Sequence, residues 1–262
     1  MPATEPPTDH ELVGGLLHLG VDVAYQPITD LATGDVIGWE ALLRGRLPSL
    51  GAVSPEEVVG SATRVGALDP MMRQVTEQAL TTATVASVRL GRPMTVSINI
   101  EPDQLRAGSQ FLRWLVDRTA SCPARLVVEI TERGSEEAWG QEQDDALDRL
   151  VAGGLALAID DLGAGTSRMR QLARHEWAWV KLDRSFLQTG ERGRILLRHS
   201  VSMLHDLGSR VVLEGIETSE HLEIARLAGA DLAQGILLGE PIPSDRVLAT
   251  LPPLSAVPPR ED

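Results

Sequence analysis

Leu155-Ala156-Leu157-Ala158-Ile159-Asp160-Asp161-Leu162-Gly163-Ala164-Gly165-Thr166-Ser167, or LALAIDDLGAGTS, decides how the rest of the chain is read. An apolar run climbs into two adjacent carboxylates, Asp160 and Asp161, and a loop of small residues follows at once. Alternation along a strand puts Ala156, Ala158 and Asp160 on one face and Leu157 and Ile159 on the other. Small residues suit the crowded inside of a barrel, and branched ones suit packing under helices. Asp160 then ends the strand pointing inward. Asp161 stands where the backbone turns and can swing back beside it. Two carboxylates this close repel each other, and both ionise readily only with cations between them. A pair of acids before a glycine is also an ordinary solvated turn, so the rest of the chain has to decide between the two readings.

The chain has 262 residues and is 43% hydrophobic, enough for one large core, and single (β/α)8 barrels commonly have this length. Aromatic residues make up only 3%, so the core has to be aliphatic. A formal charge of −13 makes the chain a poor general binder of nucleic acid polymers or anionic membranes. An anionic ligand would need local arginines, lysines or bound metal. The single cysteine, Cys122, allows no internal disulfide, which fits a reducing, cytoplasmic compartment. No apolar run reaches the length of a membrane span, so no membrane insertion is expected. The opening MPATEPPTDHE is acidic and proline-rich, unlike a secretory signal. Residues 1–11 and 255–262 read as loose tails around one barrel domain over residues 12–254.

VAYQPI (23–28) and VIGWEALL (36–43) read as strands with too few residues between them for a crossover helix. A hairpin through Thr33-Gly34 makes them antiparallel. From there strands alternate with helices. Ser54 caps a helix with Pro55 in its first turn and Glu57 three residues past the cap. A second helix runs from Asp69-Pro70 to about Leu90. Strands follow at 95–100 and 125–131, with a helix from Pro102 to about Thr119 between them. Ser135 is expected to cap a helix that Gly153-Gly154 ends. After the central strand come a short helix to about Arg174, a strand at 179–183, a helix over about 191–207 and a strand at 210–215. Thr218 caps a helix ending at Gly229, 232–238 is the last strand, and Pro243 opens a short final helix. This rhythm predicts an α/β fold, a (β/α)8 TIM-like barrel with an antiparallel first strand. The competing architecture, an open doubly wound sheet, lacks a GxGxxG after an early strand to support it.

Polar residues recur where strand cores should not want them. The second strand carries Glu40, the third Asn99, the fourth Glu129, the fifth Asp160 and Asp161, the sixth Lys181, the seventh Glu214 and the eighth Gln234. Parity puts Thr95, Ser97 and Asn99 on one face, and Val212 shares a face with Glu214. One such residue is unremarkable, but a set at the C-terminal ends of different strands marks the face that carries barrel active sites. Glu40, Asn99, Glu129 and Asp160 are all oxygen donors, which suits hard divalent ions such as Mg²⁺ or Mn²⁺ and not structural zinc. Asp160 and Asp161 together can bridge two ions, the arrangement that cleaves phosphodiesters. Lys181 can hold or deprotonate a water there; the plainer alternative is a buried ion pair with Asp183.

These segments resemble the EAL-domain family of cyclic di-GMP phosphodiesterases over roughly residues 21–245. The marks are YQPITDLATGDVIGWEALLRG, containing Glu40-Ala41-Leu42, then SINI, VVEITE, IDDLGAG, VKLDRSFL, VVLEGIET and AQGILLGEPIP. The resemblance implies linearisation of cyclic di-GMP to 5′-pGpG with Mg²⁺ or Mn²⁺, on a barrel whose first strand is antiparallel. It implies that Glu40, Asn99, Glu129 and Asp160 hold one ion and that Asp160 and Asp161 serve a second. Lys181 would act on the attacking water, with Glu214 and Gln234 ordering waters around it. Gln26 and Arg44 would contact the substrate, Arg44 at a phosphate, and Pro241 would lie near a guanine. Glu132 and Glu217 would support the metal site and the loop after the fifth strand. The family's loop usually reads DDFGTGYSSL where this chain has DDLGAGTSRM, so Leu162 and Thr166 replace two aromatics. That loop helps form the family's dimer interface, and a homodimer is the implied assembly. Ca²⁺, which prefers longer bonds and more ligands, is expected to inhibit. The alternatives are a receptor that binds cyclic di-GMP without turnover and an interaction module that no longer binds nucleotide. The filled metal positions oppose the first, and retained Gln26, Arg44 and Pro241 oppose the second.

Overall fold

A computed structural model describes residues 7–48, 50–131, 139–163, 169–188 and 190–253. The elements in order are α1 (Asp9–Leu19), β1 (Asp22–Asp30), β2 (Val36–Leu47), β3 (Gly51–Val53), α2 (Pro55–Arg64), α3 (Leu68–Leu90) and β4 (Thr95–Ile100). A single 3₁₀ turn (Pro102–Gln104) precedes α4 (Gln110–Thr119), β5 (Arg125–Ile130), α5 (Gln141–Ala152), β6 (Ala156–Leu162), α6 (Met169–Arg174) and β7 (Trp179–Leu182). Then come α7 (Ser185–Gln188), α8 (Gly190–Asp206), β8 (Arg210–Leu213), α9 (Ser219–Ala228), β9 (Leu232–Ala233), β10 (Ile242–Pro243) and α10 (Ser244–Thr250).

The sheet closes on itself. The strands β2, β4, β5, β6, β7, β8 and β9 pair in parallel, each with the next. β1 completes the ring, antiparallel to β2 on one side and to β9 on the other. The reversed first strand of the expected barrel is therefore present. Two short strands lie outside the ring, β3 against the end of β2 and β10 against β1.

Strand parity sorts the core into two layers. Leu157 and Ile159 face outward into the large aliphatic layer beneath the helices. Ile28, Val127, Ala158, Trp179, Val212 and Leu232 face inward and fill the lumen. Gly38 belongs where β2 comes closest to β4: a Cβ there would collide with the Thr95 carbonyl.

Several boundaries differ from the sequence-based expectation. Helix α1 starts at Asp9, inside the stretch 1–11 expected to be a loose tail. Thr8 and Glu11 close a capping box, and Leu12, Val13 and Leu16 are buried. Asp9 also holds Arg64 of α2 at 2.6 Å. The helix expected from Pro102 breaks into a turn and α4, because Gly108 takes a left-handed φ of 71° and Ser109 supplies a new cap. The helix expected from Ser135 begins at Gln141 among the described residues, and Ser135 itself lies outside them. The last strand is shorter than 232–238. After Ala233 the chain turns, so that Ile216 N–H donates to the Gln234 carbonyl and Leu237 N–H to the Ile216 carbonyl.

Helices α5 and α6 are tied through Asp144, whose side chain is 4% exposed. Its carboxylate accepts from Trp139 Nε1 at 2.9 Å and lies 2.7 Å from Arg174 and 2.8 Å from His175 Nε2. Burial alone would raise its pKa, but the His175 and Trp139 hydrogen bonds and the Arg174 charge outweigh it and hold the carboxyl below its usual value. A depressed carboxylate contributes stability that is present above the unfolded-state pKa and lost as pH falls through the folded one. Asp144→Asn is expected to cost about 1.5–3 kcal/mol at neutral pH. The gap to wild type should narrow in acid, as read by denaturant melts across pH.

Candidate active site

The lumen's inward face changes character toward the C-terminal mouth. Two residues past the apolar lumen residue on each of β5 to β9 stands a polar one: Val127 then Glu129, Ala158 then Asp160, Trp179 then Lys181, Val212 then Glu214, Leu232 then Gln234. On the reversed β1 the order inverts, Gln26 coming before Ile28. Closure of the barrel makes these side chains neighbours.

Lys181, 1% exposed, is the hub. Its Nζ lies 3.2 Å from Glu40 Oε2, 2.8 Å from Glu129 Oε2, 2.9 Å from Asp160 Oδ1 and 2.8 Å from Glu214 Oε1. The pair with Asp183 is not formed; Asp183 Oδ1 accepts instead from the Ser185 N–H at 2.8 Å, which starts α7. Asn99 Nδ2 donates to Glu40 Oε1 at 2.8 Å, and Gln234 Nε2 donates to Glu40 Oε2 at 2.7 Å and to Gln26 Oε1 at 3.1 Å.

Asp160 and Asp161 point the same way because the strand breaks its own alternation. The β6–β7 register shifts between Ile159 and Leu162, and Asp161 takes a left-handed φ of 55°, the one positive φ outside glycine among the described residues. Aspartate tolerates that conformation better than a branched residue would. Oxygens of Asp160, Asp161 and Glu214 consequently lie within 4.8 Å of one another.

The cluster carries more negative charge than one ammonium balances. Burial pushes Glu129 up to about 8; Lys181 opposes this, and the Glu40 and Asp160 charges reinforce it. Burial also holds Glu214 well above the carboxylate range despite Lys181, with Asp160 and Glu40 adding repulsion. Asp161 is raised by burial and by Asp160. For Glu40 burial is outweighed by the Lys181 charge and by the donors on Gln234 and Asn99, so its pKa is lowered. Burial would lower Lys181, but Asp160, Glu129, Glu214 and Glu40 together hold it well above its usual value. In this arrangement the lysine is a charged donor to the carboxylates around it. Asn99 Oδ1, Glu129 Oε1 and Gln234 Oε1 are buried acceptors with no hydrogen-bond partner among the described residues. Unsatisfied oxygens, surplus negative charge and, among the described residues, the absence of sulfur or imidazole donors from the cluster together fit hard divalent cations.

The cluster opens into a cleft of about 610 Å³ lined by Glu40, Asn99, Asp160 and Asp161 at its floor and by Arg44 at its side. Arg44 is half-buried and donates to its neighbour's carbonyl, Leu43 O, at 3.0 Å. Gln26 joins the cluster through Gln234 rather than lining this cleft. Pro241 lies just before Ile242, which pairs opposite Tyr25, and so comes beside Gln26. Glu217 lies 3.6 Å from Arg184, and Glu132 lies outside the described residues.

Sequence reasoning missed the cleft's far wall, made by Pro55 and Val59 of α2 and Leu68, Met72 and Val75 of α3. In sequence these look like ordinary buried helix faces. Their spacing of three or four was the available signal, but it does not say which faces meet a cleft. Glu101, which accepts from Thr131 Oγ1 at 3.0 Å, also lines the cleft.

Fold and site together define a (β/α)8 barrel with a reversed first strand and a carboxylate cluster able to hold metal at its C-terminal mouth. The chain belongs to the EAL domain family, whose model matches residues 13–241. It is 31% identical over 249 residues to the cyclic di-GMP phosphodiesterase RocR of Pseudomonas aeruginosa, covering 93% of this chain and 63% of that protein. Among solved structures, the EAL enzyme Bd1971 in its cAMP- and cyclic-di-GMP-bound form superposes with a TM-score of 0.82 at 26% identity, over 93% of this chain and 68% of that one. The calcium/cyclic-di-GMP complex of Klebsiella pneumoniae BlrP1 gives 0.71 at 27% identity, over 88% of this chain and 58% of that one. The chain thus spans just under two thirds of RocR, and about 30% of an uncharacterised protein of Sinorhizobium fredii at 31% identity.

Gln234 is one of two neutral residues, with Asn99, whose donors lower the Glu40 pKa inside the lumen. Gln234→Leu removes that donor and leaves the Glu40 carboxylate short of a charged hydrogen bond. A loss of about 1.5–3 kcal/mol in unfolding free energy is expected, measured by urea denaturation.

Proposed function

We propose that this chain hydrolyses cyclic di-GMP to linear 5′-pGpG with two Mg²⁺ or Mn²⁺ ions. The observation that carries the reading is the convergence of Glu40, Asn99, Glu129, Asp160 and Lys181 on one point at the floor of a cleft that Arg44 also lines. Family membership and relatives named as cyclic di-GMP phosphodiesterases support it.

In this reading Glu40, Asn99, Glu129 and Asp160 hold one ion, and Asp160 and Asp161 the other. Bound divalent ions supply Lewis-acid activation of water and neutralise charge at the phosphodiester. The protein's own part is positional. Asn99 and Gln234 orient Glu40 through its two oxygens. Lys181 and Glu214 hold the attacking water, the ammonium as donor and the carboxylate as acceptor. Arg44 meets a phosphate by swinging from the Leu43 carbonyl, and the apolar wall of α2 and α3 shields the ligand from water. Pro241 and Gln26 contact the nucleotide from the β1 side. Glu217 and Glu132 support the loop that begins at Asp161. The working assembly in this reading is a cytoplasmic homodimer, to be checked by light scattering. No described helix is long and apolar enough to cross a membrane.

The purified chain should convert cyclic di-GMP to pGpG, followed by chromatography, with Mg²⁺ or Mn²⁺ and not in excess chelator. Glu40→Ala should abolish turnover, and Ca²⁺ should inhibit because it favours longer bonds and six to eight ligands. Full activity in chelator would sink the two-ion reading. Nucleotide binding without any turnover would favour the receptor.

Arg44→Ala should weaken substrate binding more than one exposed charge contact would, because the overall charge of −13 repels a ligand with two phosphates. Calorimetry with cyclic di-GMP in metal-free buffer reads the difference, and unchanged affinity would remove Arg44 as phosphate anchor.

A further inference from the structure

The four carboxylates around Lys181 divide into two groups. Glu40, Glu129 and Asp160 belong to the first-ion set proposed above, on which this argument rests, and Glu214 does not. Nζ is within 3.2 Å of all four. An ammonium has three N–H donors, so it cannot satisfy four carboxylates. Among the described residues, Glu129 Oε1 and Asn99 Oδ1 in the same cage have no donor. The lysine is thus an incomplete occupant of a cage that a divalent ion would fill more fully, and both cations would draw on the same carboxylates.

Position along the sheet shows where the ammonium can go. β7, which carries Lys181, lies between β6 with Asp160 and β8, whose end carries Glu214. A small swing of the four-carbon stem toward β8 keeps the Glu214 contact and frees Glu40, Glu129 and Asp160. The Glu214 side chain is also the most exposed of the four, at 19% against 0% for Glu129.

We infer that Lys181 is a tethered counter-ion that sets the metal affinity of the site, competing with the first ion for Glu40, Glu129 and Asp160 and retiring onto Glu214 when that ion binds. Before an ion arrives, the ammonium keeps mutually repelling carboxylates assembled, so the ligand geometry exists in advance. The same contacts must be given up for the ion to enter, which weakens its binding. Lys181 in this role is a positioning residue, separate from its contact with water during turnover.

The test is Mn²⁺ binding by calorimetry, with thermal melts in chelator, on the wild type, Lys181→Met, Lys181→Gln, Glu214→Gln and the Lys181→Met/Glu214→Gln pair. Without metal, Lys181→Met should melt below wild type. It should bind Mn²⁺ about tenfold or more tightly, because a positive charge has left a cage of carboxylates. Glu214→Gln should weaken Mn²⁺ binding with Lys181 present and leave it unchanged in the Lys181→Met background. Should Lys181→Met fail to fold, Lys181→Gln, which keeps an N–H donor without the charge, carries the affinity comparison. Equal or weaker Mn²⁺ binding by the Lys181 variants overturns the inference while leaving the ion site intact. An equal loss from Glu214→Gln in both backgrounds makes Glu214 a metal ligand and overturns its role as resting place. No Mn²⁺ uptake by the wild type or any variant overturns the ion-site reading itself, and the inference with it.

Discussion

The Lys181 ammonium, with carboxylates from Glu40, Glu129, Asp160 and Glu214 inside 3.2 Å, is the contact on which the mouth of the barrel depends. Each of those side chains comes from a different strand or strand end, so the ion cluster ties β2, β5, β6, β7 and β8 across the lumen. A buried charge left unpaired costs about 3–5 kcal/mol, and here several would be left at once. The arrangement is accordingly poor value as a stabiliser and makes sense as a site. An apolar lumen of the same volume would hold the barrel as well without a binding surface.

Everything below that cluster is built to present it. Ile28, Val127, Ala158, Trp179, Val212 and Leu232 fill the lumen and keep water from beneath the carboxylates. Burial of this kind raises the pKa values of Glu129, Glu214 and Asp161, and it makes the site receptive to cations. The outer helices enclose the strands from the other side, and α2 and α3 continue past them to form one wall of the cleft. One layer of the fold supplies rigidity and the other supplies access.

Two local departures from regular structure matter as much as the regular framework. The register shift in β6 with left-handed Asp161 turns two consecutive carboxylates to one side, which a uniform strand cannot do. The early end of β9 lets Gln234 reach Glu40 while the following turn is pinned to Ile216. Both departures occur at the mouth, where the chain gives up pairing to gain side-chain placement.

Much of this was readable from the chain itself. The alternation in LALAID and RVVLEG assigned inward and outward faces correctly, because a strand's period of two holds in any sheet. The short link between the first two strands forced an antiparallel pair, for reasons of chain length alone. The polar residues from Glu40 to Gln234 could be named as one set because each reads as lying near the C-terminal end of its strand, although Glu40 in fact lies midway along β2 and Gln234 just past β9. Tertiary structure decided the rest. Lys181 had a sequence-adjacent partner in Asp183, yet closure of the barrel offered it four carboxylates, and charge goes to the densest opposite charge within reach. The early end of β9 depended on pairing with Ile216 from another segment, whereas the break at Gly108 rests on the local left-handed glycine and the Ser109 cap. The apolar residues of α2 and α3 became a cleft wall only when β2 and β4 were laid beside them. Periodicity gives the direction of a side chain relative to its own element. Which groups it meets is set by how the elements close on one another.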